Sequence, residues 1–220
     1  MRDERAFWES GGCYRAEHHP VVELFARQRV RYLAAVGALD GVSTLLDVGA
    51  GSGFSSLHYP PEIRVVATDY AAGMLAANRT RDRVRCAAGA LPLGDASFDA
   101  VTCWELLHHL DDPVGALREM LRVARRRVIV FEPNRINLGQ IVLALLRDNE
   151  RRTLRFSARH LRRLVSRAGG RLAFHARTGL LFPNITPLPI ARALARLPYR
   201  IPLIAISQLA IIEPPLATPR

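Results

Sequence analysis

Glycines and carboxylates, rather than nucleophiles, are the residues whose spacing in this chain points to chemistry. Residues 45–54 read LLDVGAGSGF, a short apolar run ending in glycines at 49, 51 and 53 with Asp47 two positions before the first. Glycines in such a turn let the backbone approach a ligand closely and direct N–H groups toward it. A dinucleotide loop of the form G-x-G-x-x-G requires its third glycine at position 54, where Phe54 stands. A second carboxylate, Asp69, follows Gly49 by 20 residues and ends the next apolar run. Three cysteines, Cys13, Cys86 and Cys103, are too few and too scattered for a disulfide framework or a zinc cluster, so no metal site is expected and a reducing cytoplasm is the simpler setting.

Elements that could position these groups alternate along the middle of the chain. Residues 43–48, 64–68, 98–103 and 127–131 read as buried strands, and residues 71–78, 104–110 and 113–124 as helices between them. That alternation predicts an α/β fold with a parallel sheet covered on both faces. Residues 20–36 predict a helix with proline in its first turn. Residues 157–168 predict another, capped by Ser157 and stopped at Gly169-Gly170. Near the end, residues 190–197 suggest a short helix, and residues 201–212 read equally as an edge strand or an amphiphilic surface segment.

The G-x-G-x-G loop with Asp47 before it resembles motif I of the class I S-adenosylmethionine-dependent methyltransferases. The likeness extends through residues 69–75 (DYAAGML), 89–101, 106–113 (LLHHLDDP) and 128–134 (VIVFEPN), covering roughly residues 40–170 and pointing to the small-molecule, methyltransferase type 11-like branch. It implies a Rossmann-like three-layer sandwich around a mostly parallel seven-stranded sheet whose last strand, from the region of residues 203–212, is antiparallel. It also divides the chain into an N-terminal helical cap segment, residues 1–40, and a methyltransferase domain, residues 41–220, with a basic, apolar-rich insert around 180–205.

Carried over residue by residue, the resemblance gives S-adenosyl-L-methionine as cofactor. Asp47 and the backbone of Gly49, Ala50, Gly51 and Gly53 would lie toward its methionine portion. Asp69 would hold the ribose, and Tyr70 and Met74 would flank the adenine. Ala87 and Ala88 stand where the family places an acid and a small residue, so a hydrogen bond to the adenine amino group is missing or comes from elsewhere. Trp104 and Glu105 would line the cleft between cofactor and acceptor. Transfer of an activated methyl needs alignment above all, with a general base when the acceptor is a hydroxyl. His108 and His109 are the candidates, His108 sharing a helical face with Trp104 and His109 with Glu105. Glu132 either faces the acceptor or orients a loop, and His18 and His19 belong to a pocket cap or a helix-entry turn.

Charge bears on the partner. The chain has 220 residues and a formal charge of +11, and all 31 basic residues are arginine. Residues 1–112 carry −4 and residues 113–220 carry +15. An anionic partner meeting the second half, or a solvated arginine surface, would both account for this. No apolar stretch reaches the ~18 residues of a membrane span. Cys103 lacks the neighbouring proline of base C5-methylating enzymes, and residues 103–106 (CWEL) lack the Asn/Asp-Pro-Pro-aromatic segment of amino-methylating ones. The expected function is therefore methyl transfer, preferably to oxygen, on a small-molecule or lipid-like acceptor. The protein would be cytoplasmic, with peripheral membrane contact open. The alternatives are an RNA methyltransferase, a non-catalytic cofactor-binding protein and, more distantly, an NAD-binding protein.

Overall fold

The computed structural model describes Trp8 and residues 15–146 and 148–215. Of the expected cap segment, residues 1–7 and 9–14 (with Cys13) lie outside the described residues. Helix α1 (Pro20–Ala35) starts where proline fits a first turn, and the His19 Nδ1 accepts a hydrogen bond from the Val21 N–H at 3.2 Å. The core of the fold is a seven-stranded sheet in the order β3-β2-β1-β4-β5-β7-β6. Its strands are β1 (Thr44–Val48), β2 (Arg64–Asp69), β3 (Asp82–Arg85), β4 (Phe98–Trp104), β5 (Ala124–Pro133), β6 (Arg171–Thr178) and β7 (Ser207–Glu213). β1 to β5 pair in parallel, and β7 runs antiparallel to both its neighbours, β5 and β6. The three-layer α/β architecture expected from the resemblance is present.

Alternate strand residues feed two cores, as the period of two demands. Leu45, Ile129, Phe131 and Leu209 pack against Val21, Phe25, Ala26 and Leu33 of α1. Leu46, Val101, Val128 and Val130 face the other way, against α3 (Pro113–Val123) and α5 (Ala158–Ala168). α5 is capped by the Ser157 hydroxyl, which accepts from the His160 N–H at 3.1 Å, and ends at Gly169 in the left-handed region. Between β2 and β3 lies the short α2 (Ala72–Ala77). α4 (Leu138–Leu146), followed by the 3₁₀ stretch Asp148–Arg155, and α6 (Leu188–Leu194) complete the described helices.

Two expectations are corrected. Within residues 201–212 the two readings divide: Pro202–Ile204 are an exposed surface segment, whereas β7 is not an edge strand but interior, because its apolar run bonds to a strand on each side and is buried on both faces. Residues 104–110 do not form a helix. Trp104 completes β4, Glu105 takes a left-handed φ of 54°, and only Leu107–His109 make a single 3₁₀ turn. The Glu105 N–H donates to the Phe131 carbonyl at 2.7 Å, which holds the chain to β5 one residue past the strand and prevents a helix from starting. His108 therefore does not share a helical face with Trp104, nor His109 with Glu105.

Candidate active site

The carboxyl ends of β1, β2, β4 and β5 open into a cavity of about 510 Å³. This is where ligands bind in open parallel sheets. The glycine turn after β1 forms one wall. Gly49 has φ +72°, and a Cβ there would lie 2.7 Å from Leu106 Cδ1, so the turn closes only without a side chain. Gly51 has φ +51°, and its N–H donates to Asp69 Oδ2 at 2.9 Å. The N–H groups of Gly49 and Ala50 both donate to the Thr68 carbonyl at 2.9 Å. The turn therefore does not offer these N–H groups to a ligand. It offers bare backbone and the carboxylate to which Gly51 is tied.

That carboxylate is the polar centre of the wall. Asp69 accepts from Gly51 on Oδ2 and from the Ala71 N–H on Oδ1 at 2.8 Å. Burial raises its pKa even though backbone N–H groups act against the shift. The Tyr70 N–H acts in the same sense, so of the about four acceptor sites of an ionised carboxylate about one is left on this cavity-lining residue. Tyr70, Met74, Ala87 and Ala88 line the same end. Asp47 and Gly53 do not. The Asp47 Oδ2 accepts from the Ser55 and Ser56 hydroxyls, behind the turn, and full burial pushes its carboxyl up to about 6. Gly53 packs against Leu57 and Asn78.

On the opposite wall, Trp104 sits among Phe25, Tyr59 and Phe131, its Nε1–H donating to the Thr102 hydroxyl at 3.1 Å. The Glu105 carboxylate faces the cavity and is held from behind by Arg29 and by the Ser207 hydroxyl at 3.1 Å. Arg29 is fully buried, with its guanidinium carbon 4.1 Å from the Phe25 ring centre, 4.4 Å from Phe131 and 5.1 Å from Trp104. The sequence reading passed over Arg29 and Ser207. The position of Arg29 on the apolar face of α1, between Ala26 and Leu33, was a signal of a paired buried charge.

Glu132 orients a loop rather than facing the acceptor. Fully buried, it accepts on Oε1 from the Leu106 and Leu107 N–H groups at 3.1 and 2.7 Å and meets the His108 Nδ1 with Oε2 at 2.8 Å. His108 Nε2 lies 4.0 Å from Glu150, a cavity-lining residue that the sequence reading also missed. Burial alone would lower the His108 imidazole, but Glu132, with Glu105 and Glu150, outweighs it and raises the pKa. The neighbouring His109 is driven well below the usual range by burial, then by His108 and Arg152. Its Nδ1 has no partner among the described residues. The two histidines thus differ: one is clamped by Glu132, and the other has a buried ring nitrogen without a partner among the described residues. His18 and His19 do not line the cavity, and Cys103 is a core residue whose thiol burial raises. Arg15 donates to the carbonyls of Pro183 and Thr186 at 3.0 and 2.7 Å, tying residue 15 to a segment that roofs the cavity. No metal-binding group of histidine, cysteine and acidic residues occurs among the described residues.

The chain is similar to known proteins over part of its length. Residues 46–131 match the family described as a methyltransferase domain. Over 104 residues the chain is 43% identical to a demethylmenaquinone methyltransferase of Renibacterium salmoninarum, covering 45% of this chain and 44% of that protein. It is 35% identical over 109 residues to a ubiquinone/menaquinone biosynthesis C-methyltransferase of Xanthomonas campestris, covering 43% of each. The chain thus matches less than half the length of these curated relatives. The fold matches a SAM-dependent methyltransferase from Thermotoga maritima with a TM-score of 0.67 at 20% identity, over 88% of this chain and 91% of that one.

Proposed function

Because residues 46–131 match the methyltransferase domain family, we propose that the protein transfers a methyl group from S-adenosylmethionine to a ring carbon of a small, apolar hydroquinone. The observation that carries this reading is the division of one cavity into two ends. One end has Asp69, at the end of β2, beside the glycine turn, and the other has Trp104, Phe182 and Ile185 together with Glu105, His109 and Glu150. The preference for oxygen read from the sequence gives way to carbon, because one curated relative is named a C-methyltransferase.

The residues fit the cofactor. Asp69 has acceptor capacity remaining for a ribose hydroxyl, and a Cβ at Gly51 would press on Met74 Cε at 3.0 Å, in the space the nucleoside would border. When bound, the sulfonium supplies an activated methyl for in-line displacement. Met74 and Tyr70 would bracket the adenine, with the methyl groups of Ala87 and Ala88 giving contact but no hydrogen bond. At the acceptor end, His109 would take the hydroxyl proton, which raises electron density on the neighbouring ring carbon. As that carbon gains the methyl and the sulfur–methyl bond breaks, its own C–H proton must leave to solvent to restore the aromatic ring. His109 is the cavity-lining histidine whose Nδ1 has no partner among the described residues. His108, fixed by Glu132, positions the turn that carries His109. Trp104 supplies an apolar face for the ring.

The test is a labelled methyl donor with a short-chain demethylated hydroquinone, scored for label on carbon, alongside calorimetry with S-adenosylhomocysteine. Label on the ring carbon supports the reading. S-adenosylhomocysteine binding with label only on oxygen, or with no label, overturns the acceptor assignment.

A further inference from the structure

The outer face of α4 is an apolar stripe left exposed among the described residues. Leu138, Val142, Leu145 and Leu146 recur at helical spacing, and Leu138, Leu145 and Leu146 are 78%, 65% and 79% exposed. The inner face of the same helix sends Gln140 and Leu143 to the cavity. The stripe is extended by a second segment, because the Asn137 amide donates to the Ile204 carbonyl at 2.7 Å and the Asn134 amide to Ala205 at 2.8 Å. That clamp holds Leu203, 82% exposed, and Ile204 beside the start of α4. Gly139 packs against Phe182, which roofs the cavity next to the exposed Ile185. Apolar side chains thus border the cavity roof in a continuous patch, more than scattered exposure explains.

Positive charge adjoins the patch. Pro202, next to Leu203, forms one side of a small cleft lined also by Arg162, Arg177 and Arg200. Burial and these three guanidiniums together lower the pKa of His175 inside it. No acidic residue lines the cleft. From Arg151 to Ile212 the chain has twelve arginines and no aspartate or glutamate.

From this juxtaposition we propose that the α4 face and the Arg162–Arg177–Arg200 cleft together seat the protein on the surface of an anionic phospholipid bilayer, with the cavity roof against the lipid. Leucines entering the headgroup region bury apolar area, and the adjoining arginines meet phosphate oxygens. An apolar acceptor then passes from bilayer to cavity without crossing water. The proposal deepens the acceptor reading and rests on it for its purpose, though not for its geometry.

The experiment is co-sedimentation of the full chain with phosphatidylcholine vesicles, with and without phosphatidylglycerol. Wild type should bind the phosphatidylglycerol vesicles and bind those without it far more weakly. The double substitution L145E/L203E should weaken that binding by about tenfold or more. R177Q/R200Q should remove most of the preference for phosphatidylglycerol and most of the salt sensitivity. All forms should keep the S-adenosylhomocysteine affinity of wild type, which excludes misfolding. Equal binding by L145E/L203E and wild type would overturn the proposal. So would a dimer that L145E/L203E dissociates without any vesicle binding, or retention of RNA through the arginines with indifference to lipid. Vesicle binding with no methyl transfer to a water-soluble hydroquinone upholds the docking and rejects the acceptor. Methyl transfer without vesicle binding does the reverse.

Discussion

On the proposed function, Asp69 is the residue on which cofactor recognition turns, because it is a partly buried carboxylate that lines the cavity with an acceptor site to spare. Asp69→Ala should weaken S-adenosylhomocysteine binding by about tenfold or more, since a hydrogen bond to an ionised group is lost. Asn, which keeps one acceptor oxygen, should recover part of it, and calorimetry reads both. His109→Ala should lower kcat by about a hundredfold with cofactor affinity unchanged, as expected when a positioned base is removed. Asp47 gives a prediction of a different kind. Its folded carboxyl sits at about 6 against an ordinary 3.8, so the native state binds more protons than the unfolded chain between those values. Its contribution is therefore fully present below about pH 4 and is lost as pH rises through about 6. In thermal melts across that window, Asp47→Asn should flatten the decline in stability.

At the scale of elements, α1 and β7 meet the loop after β4 through Arg29, Glu105 and Ser207. Arg29→Ala would leave the Glu105 carboxylate, which faces the cavity, without its principal cation and should cost about 3–5 kcal/mol in chemical denaturation. Glu105→Gln in the same background should restore part of that, and a purely additive double mutant would argue against the coupling. This loop is also where sequence legibility failed. Trp104, Leu107 and His108 mimic helical spacing, yet Glu105 leaves the helical region and β5 captures its N–H. The strands β1, β2, β4 and β5 were legible because burial on both faces makes them continuous apolar runs. β3 and β6 were not, since both lie at sheet edges and intersperse arginine with partly buried residues. Asp69 and the glycine turn were legible from spacing alone. The contributions of Arg29, Glu150 and Ser207 were not, because their partners lie far away along the chain.

For the whole molecule, the −4 and +15 halves correspond to two kinds of surface. The basic half supplies the arginine cleft and the exposed apolar face, while the mildly acidic half contributes most of the cofactor wall. A ligand bound only by the folded chain stabilises all of it at once. Saturating S-adenosylhomocysteine, at about a hundred times its Kd, should add roughly 2.7 kcal/mol and raise the melting midpoint, whereas NADH should leave it unmoved.

The position of β7 has a consequence for biosynthesis. β6 is made some thirty residues before β7, yet it has no hydrogen-bonded neighbour in the sheet except β7. While the ribosome is still adding those residues, β6 has no mate and the rim of β5 stands open to any passing strand. The sheet is zipped shut only when β7 slides between them, so a nascent chain stalled before Ser207 should be the form most dependent on chaperones.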